Sequence, residues 1–461
     1  MRILHALHFF LPAHSGGTEV YTLRLARAQA KRHDVALFFS EKIHSRQNYE
    51  LLHKTIEGLD CRIVVNNLLY PDFRATFDNP RIEQRFREVL ADFRPDVVHV
   101  QHLMLLSMGI VAAAKQAGAR VVVTLQDFWL WCARMGQLVM PDGTICSGPK
   151  PSKCAHCLAD FPYTQKRGAG HAFRGLELMR RMFGVDLSPL VERVRGWQPL
   201  LPGRGARRRH ARLPRSPLPE PHLELRARRA TELLGQVDHF VAPSQFLLER
   251  AVEWGAPAER VSLLRYGVDL APRRGHRRYA PEGRVRFAFI GTPAPHKGVH
   301  VLIDGFRAAG IENAELTIFG SNRTDPAYFA DLKRRAEGLP VRFAGAIPNA
   351  EVPSALEQVD ALVVPSLWLE NWPVVVQEAR VMRVPVIASR IGGLAEGVRH
   401  GIDGLHFEPG DAVGLATALR RVAREPKLLA RFAAKAQLPP RMHDHELALD
   451  SIYRGEKGAR A

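Results

Sequence analysis

Two carboxylates in the stretch SLWLENWPVVVQEA, Glu370 and Glu378, are spaced so that one falls just ahead of a helix and the other inside it. Asn371 and Pro373 lie between them, a pair suited to capping and beginning that helix. Glu378 then sits in the second turn, too deep to act only as a partner of the helix dipole. Carboxylates accept hydrogen bonds from vicinal diols, so the two could hold both ends of a nucleotide sugar. Spacing leaves the alternative open: an acidic residue at a helix N-terminus and a solvated helix glutamate. Chemistry of the opposite sign comes from three loops. Gly16-Gly17 in HFFLPAHSGGTEV and Gly392-Gly393 in ASRIGGLAEG follow apolar runs and precede helical ones. Glycine lets backbone N–H groups approach an anion, and a helix N-terminus carries partial positive charge. In FIGTPAPHKGVHVLIDGF, Lys297-Gly298 occupies the same kind of position, where an ammonium can neutralise a diphosphate. Singly, each is as ordinary as a turn glycine or an exposed lysine. The repetition of strand, loop and helix suggests that the loops face one cleft.

A different chemistry is offered by DFWLWCARMGQLVMPDGTICSGPKPSKCAHCLAD, which holds Cys132, Cys146, Cys154 and Cys157. The closing Cys-x-x-Cys suits a tetrahedral zinc knuckle, and the intervening Gly and Pro suit a loop. The first two spacings are irregular, so unliganded thiols, an iron–sulfur centre or a redox pair remain alternatives. Cys61 lies in an apolar strand and reads as core.

These residues need a scaffold. Short runs rich in Val, Ile and Phe (RILHALHF, DVALFF, DVVHVQH, RVVVTLQD, HFVAPS) alternate with helix-length stretches. After Asp269 the pattern restarts with VRFAFIG, ELTIFG, VRFAGAI, ALVVPS and VPVIAS. Continuous apolar strands alternating with helices predict parallel sheets covered on both faces, hence an α/β chain of two doubly wound domains. A length of 461 residues fits two large cores. Ligands of such sheets bind beyond the carboxyl ends of the strands.

The formal net charge of +18 calls for an anionic partner: nucleic acid, an anionic membrane surface or a phosphorylated substrate. Much of it lies in Pro202 to Arg229, dense in Arg and Pro, read as a flexible insertion that is either a solvated loop or a basic arm gripping anionic lipid or polymer; FRGLELMRRMFGV before it looks amphipathic and basic, as docking on a membrane surface would need. A nucleic-acid binder would interleave basic and aromatic residues, which this stretch lacks, so no nucleic acid partner is expected. No apolar run approaches the length of a membrane span. The N-terminus reads as a buried first strand rather than a signal peptide, which places the chain in the cytoplasm, with a peripheral position at the inner face of a membrane as an option.

In order along most of the chain, the early Gly-Gly loop with Glu19, APS followed by YGVD, HKG, ENWPVVVQE, GG..E and GIDGLHFEPGD resemble the GT-B glycosyltransferases, specifically glycosyltransferase family 4. The resemblance implies two Rossmann-like domains facing a cleft. Residues 1–270 would bind acceptor and carry a Cys-rich loop at 132–157 and an Arg/Pro-rich insertion at about 196–229; residues 275–435 would bind the nucleotide sugar, and 436–461 would form a C-terminal tail. It further implies transfer with retention of anomeric configuration and no obligatory metal, which agrees with the absence of any Asp-x-Asp pair in the sequence. Carried over, Glu378 would hold the ribose and Glu370, with Asn371 beside it, the donor sugar. Lys297 would meet the leaving diphosphate, and Gly16, Gly17, Gly392 and Gly393 would line the pocket. Gln126 and Asp127 would act on the acceptor side. Two departures stand out: Thr292 replaces an Arg shortly before the Lys, and Gln126-Asp127 replaces His-Asp. Gln can donate a hydrogen bond to a sugar hydroxyl but cannot take up a proton. The expected activity is transfer from a nucleotide sugar to a glycan or lipid-linked acceptor. The alternative is a catalytically weak or inactive sugar- or nucleotide-binding protein on the same fold.

Overall fold

The computed structural model describes residues 1–43, 45–159, 161, 217–271, 279–280, 283–321 and 325–456. The first half builds one sheet from β1 (Arg2–Leu7), β2 (Asp34–Glu41), β3 (Leu51–Ile56), β4 (Leu59–Val65), β5 (Val97–Val100), β6 (Arg120–Thr124), β7 (His239–Ala242) and β8 (Val261–Leu263). Its order is β3-β4-β2-β1-β5-β6-β7-β8, parallel except for the β3–β4 pair. That hairpin turns through Glu57 and Gly58, both at positive φ, which matches the twist of the flanking strands. The second half builds β9 (Val285–Ile290), β10 (Ala314–Phe319), β11 (Val341–Gly345), β12 (Ala361–Val364), β13 (Val386–Ser389) and β14 (Gly404–Phe407) into a parallel sheet ordered β11-β10-β9-β12-β13-β14. Central strands such as β5, β12 and β13 are buried along their whole length, as a parallel sheet covered on both faces requires.

Helices α1 (Gly17–Gln29), α2 (Pro80–Phe93), α3 (Gly109–Gln116), α4 (Pro151–Cys157), α5 (Glu220–Gln236) and α6 (Gln245–Glu253) belong to the first half. In the second, α7 (Val299–Ala309), α8 (Pro326–Arg335), α9 (Val352–Glu357), α10 (Val374–Val381), α11 (Gly392–Gly397), α12 (Ala412–Arg424) and α13 (Pro426–Lys435) are followed by α14 (Met442–Arg454). Strand order reverses at β1/β5 in one sheet and at β9/β12 in the other. The loops after β1, β6, β9, β12 and β13 are those that carry the Gly pairs, Gln126-Asp127, Lys297 and Glu370. This is the crevice where α/β sheets bind ligands.

Two expectations need correction. Residues 220–229 are not part of a solvated insertion, because α5 buries Leu223, Arg226, Ala230, Leu233 and Leu234 on one helical face. The arginines of RARRA mask that stripe in the sequence: some occupy its outer positions, while Arg226 turns inward. Residues 196–216 and the basic stretch 173–185 lie outside the described residues. Residues 442–454 are likewise not a tail. Helix α14 returns to the first half, where Leu449, Ile452 and Tyr453 pack with Ile3, Leu25, Val97 and Val122. It is held by Gly267, where a Cβ would stand 2.7 Å from the Met442 Cα. Trp372 and Val374 from the second half join the same cluster, so the two halves share a packed seam.

Candidate active site

Glu370 sits at the seam beyond β12, 6% exposed. Three donors converge on its Oε1: Lys297 Nζ at 2.7 Å, Ser366 Oγ at 2.6 Å and Trp368 Nε1 at 2.7 Å. Burial alone would push this carboxyl up, but the Lys297 charge and the three donors outweigh it and hold the carboxyl below its ordinary value. Lys297 ends a single 3-10 turn, Pro295–Lys297, and lies 4.7 Å from the centre of the Trp368 ring. The turn leaves through Gly298 at φ +68, where a Cβ would strike the Pro365 carbonyl at 1.8 Å. That close approach brings the lysine loop against the glutamate loop. His296 packs edge-on against Trp368, and its imidazole is pushed down to about 4 by burial and by the neighbouring Lys297 charge. Thr292 is exposed in the same loop.

Glu378 lies inside α10, and its partner comes from the other half: Arg24 of α1, with Nη2 2.6 Å from Oε1. Burial raises the Glu378 carboxyl even with that guanidinium beside it. Gly16 caps α1 in extended backbone, so its glycine serves space rather than unusual torsion: a Cβ would lie 2.7 Å from Glu19 Oε2. A Cβ on Gly17 would lie 3.7 Å from Val374, so the N-terminus of α1 faces that of α10. Asn371 does not cap α10 as expected. Its Nδ2 donates across the seam to the Gln126 carbonyl at 2.8 Å, and Pro373 occupies the cap position with no side-chain bond. Gly392, at φ +53, and Gly393 let α11 press against this loop; a Cβ on Gly393 would stand 1.7 Å from the Asn371 carbonyl.

On the first-half side, a small cavity at the ends of β5 and β6 is lined by Gln101, His102, Gln126 and Asp127. Asp127 accepts from His102 Nε2 at 2.9 Å and from the Trp129 backbone N–H at 2.8 Å. Both ends of the Gln126 amide are engaged within the protein, Nε2 with Gln101 at 3.1 Å and Oε1 with the Tyr266 hydroxyl at 2.6 Å. Next to this lies a group the spacing argument passed over. The His8 ring is 4.4 Å from the His102 ring, and its Nε2 is 3.2 Å from buried Glu19. Burial holds the His8 imidazole well down and pushes the Glu19 carboxyl up. His8 Nδ1 is buried without a partner, the one ring nitrogen of this cluster left so. The signal for His8 and His102 was available, since they lie one and two residues beyond the ends of β1 and β5; nothing in the sequence pointed to Arg24.

The four clustered cysteines come together around one cavity. As they stand, no three His, Cys, Asp or Glu side chains among the described residues form a coordination shell. The thiols are free, and burial raises Cys132 to about 11 and also lifts Cys154 and Cys157.

Two facing Rossmann-like halves, with glutamates, a lysine and glycine-lined helix N-termini along their seam, define a GT-B glycosyltransferase fold. Residues 16–150 match the glycosyl transferase 4-like domain and residues 276–438 the glycosyl transferases group 1 domain. The chain belongs to the family 4 type of glycosyltransferases. Among its relatives, glycogen synthase of Mycobacterium tuberculosis is 29% identical over 44% of this chain and 50% of its own length. The amylovoran biosynthesis glycosyltransferase AmsK of Erwinia amylovora is 26% identical over 46% of this chain and 54% of its own. The chain thus spans about half the length of these relatives. Anabaena HepE, solved in complex with UDP-glucose, superposes with a TM-score of 0.63 at 15% identity, covering 99% of this chain and 100% of that one.

Proposed function

We propose that the protein moves a sugar from a nucleotide-sugar donor to a glycan or lipid-linked acceptor, with retention of configuration and without a metal ion. The observation that carries this reading is the Lys297–Glu370 pair at the end of β12, across the seam from the α1 N-terminus. In this reading Glu378 accepts from the ribose hydroxyls and Glu370 from hydroxyls of the transferred sugar. Lys297 turns to the leaving diphosphate, whose charge grows as the glycosidic bond breaks. Fixed N–H groups at Gly16-Gly17 and Gly392-Gly393 add preorganised positive potential. Asp127 and Gln126 border the acceptor side, where His102 fixes the Asp127 carboxylate. Both donor-side glutamates already hold a cation, Lys297 or Arg24, so the site is charge-matched before substrate arrives. The nucleotide sugar in HepE and the polysaccharide-building names of the relatives support the donor and acceptor classes. The net charge of +18 supports work at an anionic membrane surface on the cytoplasmic side.

The second reading, a binding protein that has lost catalysis, is favoured by Gln126, which cannot take up a proton and has both ends of its amide engaged. A thermal-shift screen of nucleotide sugars, beginning with UDP-glucose, identifies the donor by its stabilisation of the folded state. Nucleotide release by the wild type, Glu370→Gln and Glu378→Gln is then measured. Glu378→Gln should weaken donor binding about 10- to 100-fold, the worth of a charge-assisted hydrogen bond, with turnover largely kept. Glu370→Gln should mainly slow turnover. Background turnover in all three with binding intact would favour the second reading, and loss of affinity alone in both variants would refute the division of roles.

A further inference from the structure

We propose that Cys132, Cys146, Cys154 and Cys157 bind one zinc ion as a tetrathiolate that braces the loop carrying Asp127. The four come from three separate segments: the loop after β6, the strand-like stretch after the Val139–Ile145 bridge, and one turn of α4. They nevertheless line a single cavity, whose other walls include Leu138, Val139, Met140 and Leu158 and which no carboxylate or imidazole lines. Four of the chain's 5 cysteines are gathered here, while Cys61 is buried alone in β4. A ligand set made only of sulfur selects a soft, tetrahedral ion.

The charges around the cavity point the same way, independently of the sulfurs. Arg226 of α5 is 5% exposed, and among the described residues no carboxylate lies within ion-pair distance of it. Its guanidinium donates to the Leu130 carbonyl at 3.2 Å and to the Trp129 carbonyl, and Cys132, Cys154 and the more distant Asp127 carboxylate are its charge partners. Arg134 and Lys153 line the cavity as well. Four thiolates around Zn²⁺ leave a net charge of about −2; Arg134 and Lys153 line the cavity where that charge would lie, and Arg226 lines the adjoining one that shares Cys154. Binding is a metal-for-proton exchange: the four thiols release their protons, the ion takes up four thiolates, and uptake strengthens as pH rises. The side chains must rotate within the cavity they share to reach Zn–S bonds of about 2.3 Å.

The consequence for the active site runs through short bonds. Gly136 N–H donates to the Cys132 carbonyl at 3.0 Å, and the Phe128 N–H donates to the Gly136 carbonyl at 3.3 Å. Gly136, at φ +69, lies so close to Asp127 that a Cβ would stand 2.6 Å from the carboxylate. An ion holding Cys132 to α4 therefore fixes the turn on which Asp127 rests. This inference does not depend on the catalytic reading, because its test counts metal.

The full chain is purified from zinc-supplemented cells without chelator, and metal per chain is measured by mass spectrometry. Its Co(II)-exchanged form is examined for the visible absorption of tetrahedral cobalt thiolate. The expected result is one zinc per chain and an intense cobalt–thiolate spectrum, with four thiols protected until a chelator is added. Chelator competition should show Cys154→Ser binding zinc at least about tenfold more weakly, and Cys61→Ser binding it like the wild type. If Cys154→Ser does not fold, thiol titration of the wild type with and without chelator decides alone. Metal-free protein with all four thiols freely titratable, iron with labile sulfide, disulfides in the native chain, or full zinc retention by Cys154→Ser would each overturn the proposal.

Discussion

Lys297→Met removes the one full positive charge on Glu370 and leaves Ser366 and Trp368 as neutral donors. Breaking a buried ion pair by deleting one partner costs about 3–5 kcal/mol. Two features lower that figure here. The Lys297 side chain is 27% exposed, so water already screens part of the pair. The stranded carboxyl can also protonate, at about 1.4 kcal/mol for each pH unit above its ordinary value of 4.5, which caps the cost at about 4 kcal/mol at about pH 7.5 before that screening is counted. The expected loss is about 2–3 kcal/mol at about pH 7.5, falling below about 1 kcal/mol near about pH 5. The sign is specific. In the wild type the Glu370 carboxyl is held low, so its stabilisation is present above 4.5 and is lost as pH falls through the folded-state value. In Lys297→Met burial raises the carboxyl, the folded state binds the extra proton, and stability rises as pH falls. Urea unfolding followed by tryptophan fluorescence at the two pH values reads the difference, and Lys297→Met/Glu370→Gln should recover most of the neutral-pH loss. An equal loss at both pH values, or a double variant no better than the single one, would refute the reasoning.

Two further outcomes follow from packing at the seam. Gly393→Ala places a methyl 1.7 Å from the Asn371 carbonyl and 2.9 Å from Ser244 Oγ, so backbone must move; thermal melts should show a loss of about 1–3 kcal/mol, with weaker donor binding because the Glu370 loop shifts with it. Asp450→Asn removes the charge that α14 offers to Arg32 at 2.5 Å and His33 at 3.1 Å, and urea unfolding should show a loss of about 2 kcal/mol.

The main strands of both sheets, and the position of Glu370, Lys297 and the Gly pairs in loops after strands and of Glu378 inside a helix, were legible in the sequence. Buried parallel strands must be apolar throughout, and loops at their carboxyl ends must carry whatever binds. Asn371 was misread as a cap because local spacing shows only that an Asn before a proline-led helix can cap it, not that a carbonyl across a seam competes for its amide. Helix α5 was hidden because Arg226 occupies a core position, and a buried arginine looks like a surface one until its surroundings are known. Residues 442–454 read as a tail because their apolar stripe packs on a sheet formed more than three hundred positions earlier in the sequence.

What the sequence by itself determined was the class of architecture and the residue types at the loop ends, since both follow from periodicity and from short-range rules of turns and helix starts. Which charges meet was decided only by the tertiary structure. Arg24 reaches Glu378, His8 and Glu19 join His102 and Asp127, and four cysteines share one cavity because two sheets and a returning helix bring distant segments within a few ångströms. Electrostatic partners act through space, and one-dimensional spacing carries no record of them beyond a few helical turns.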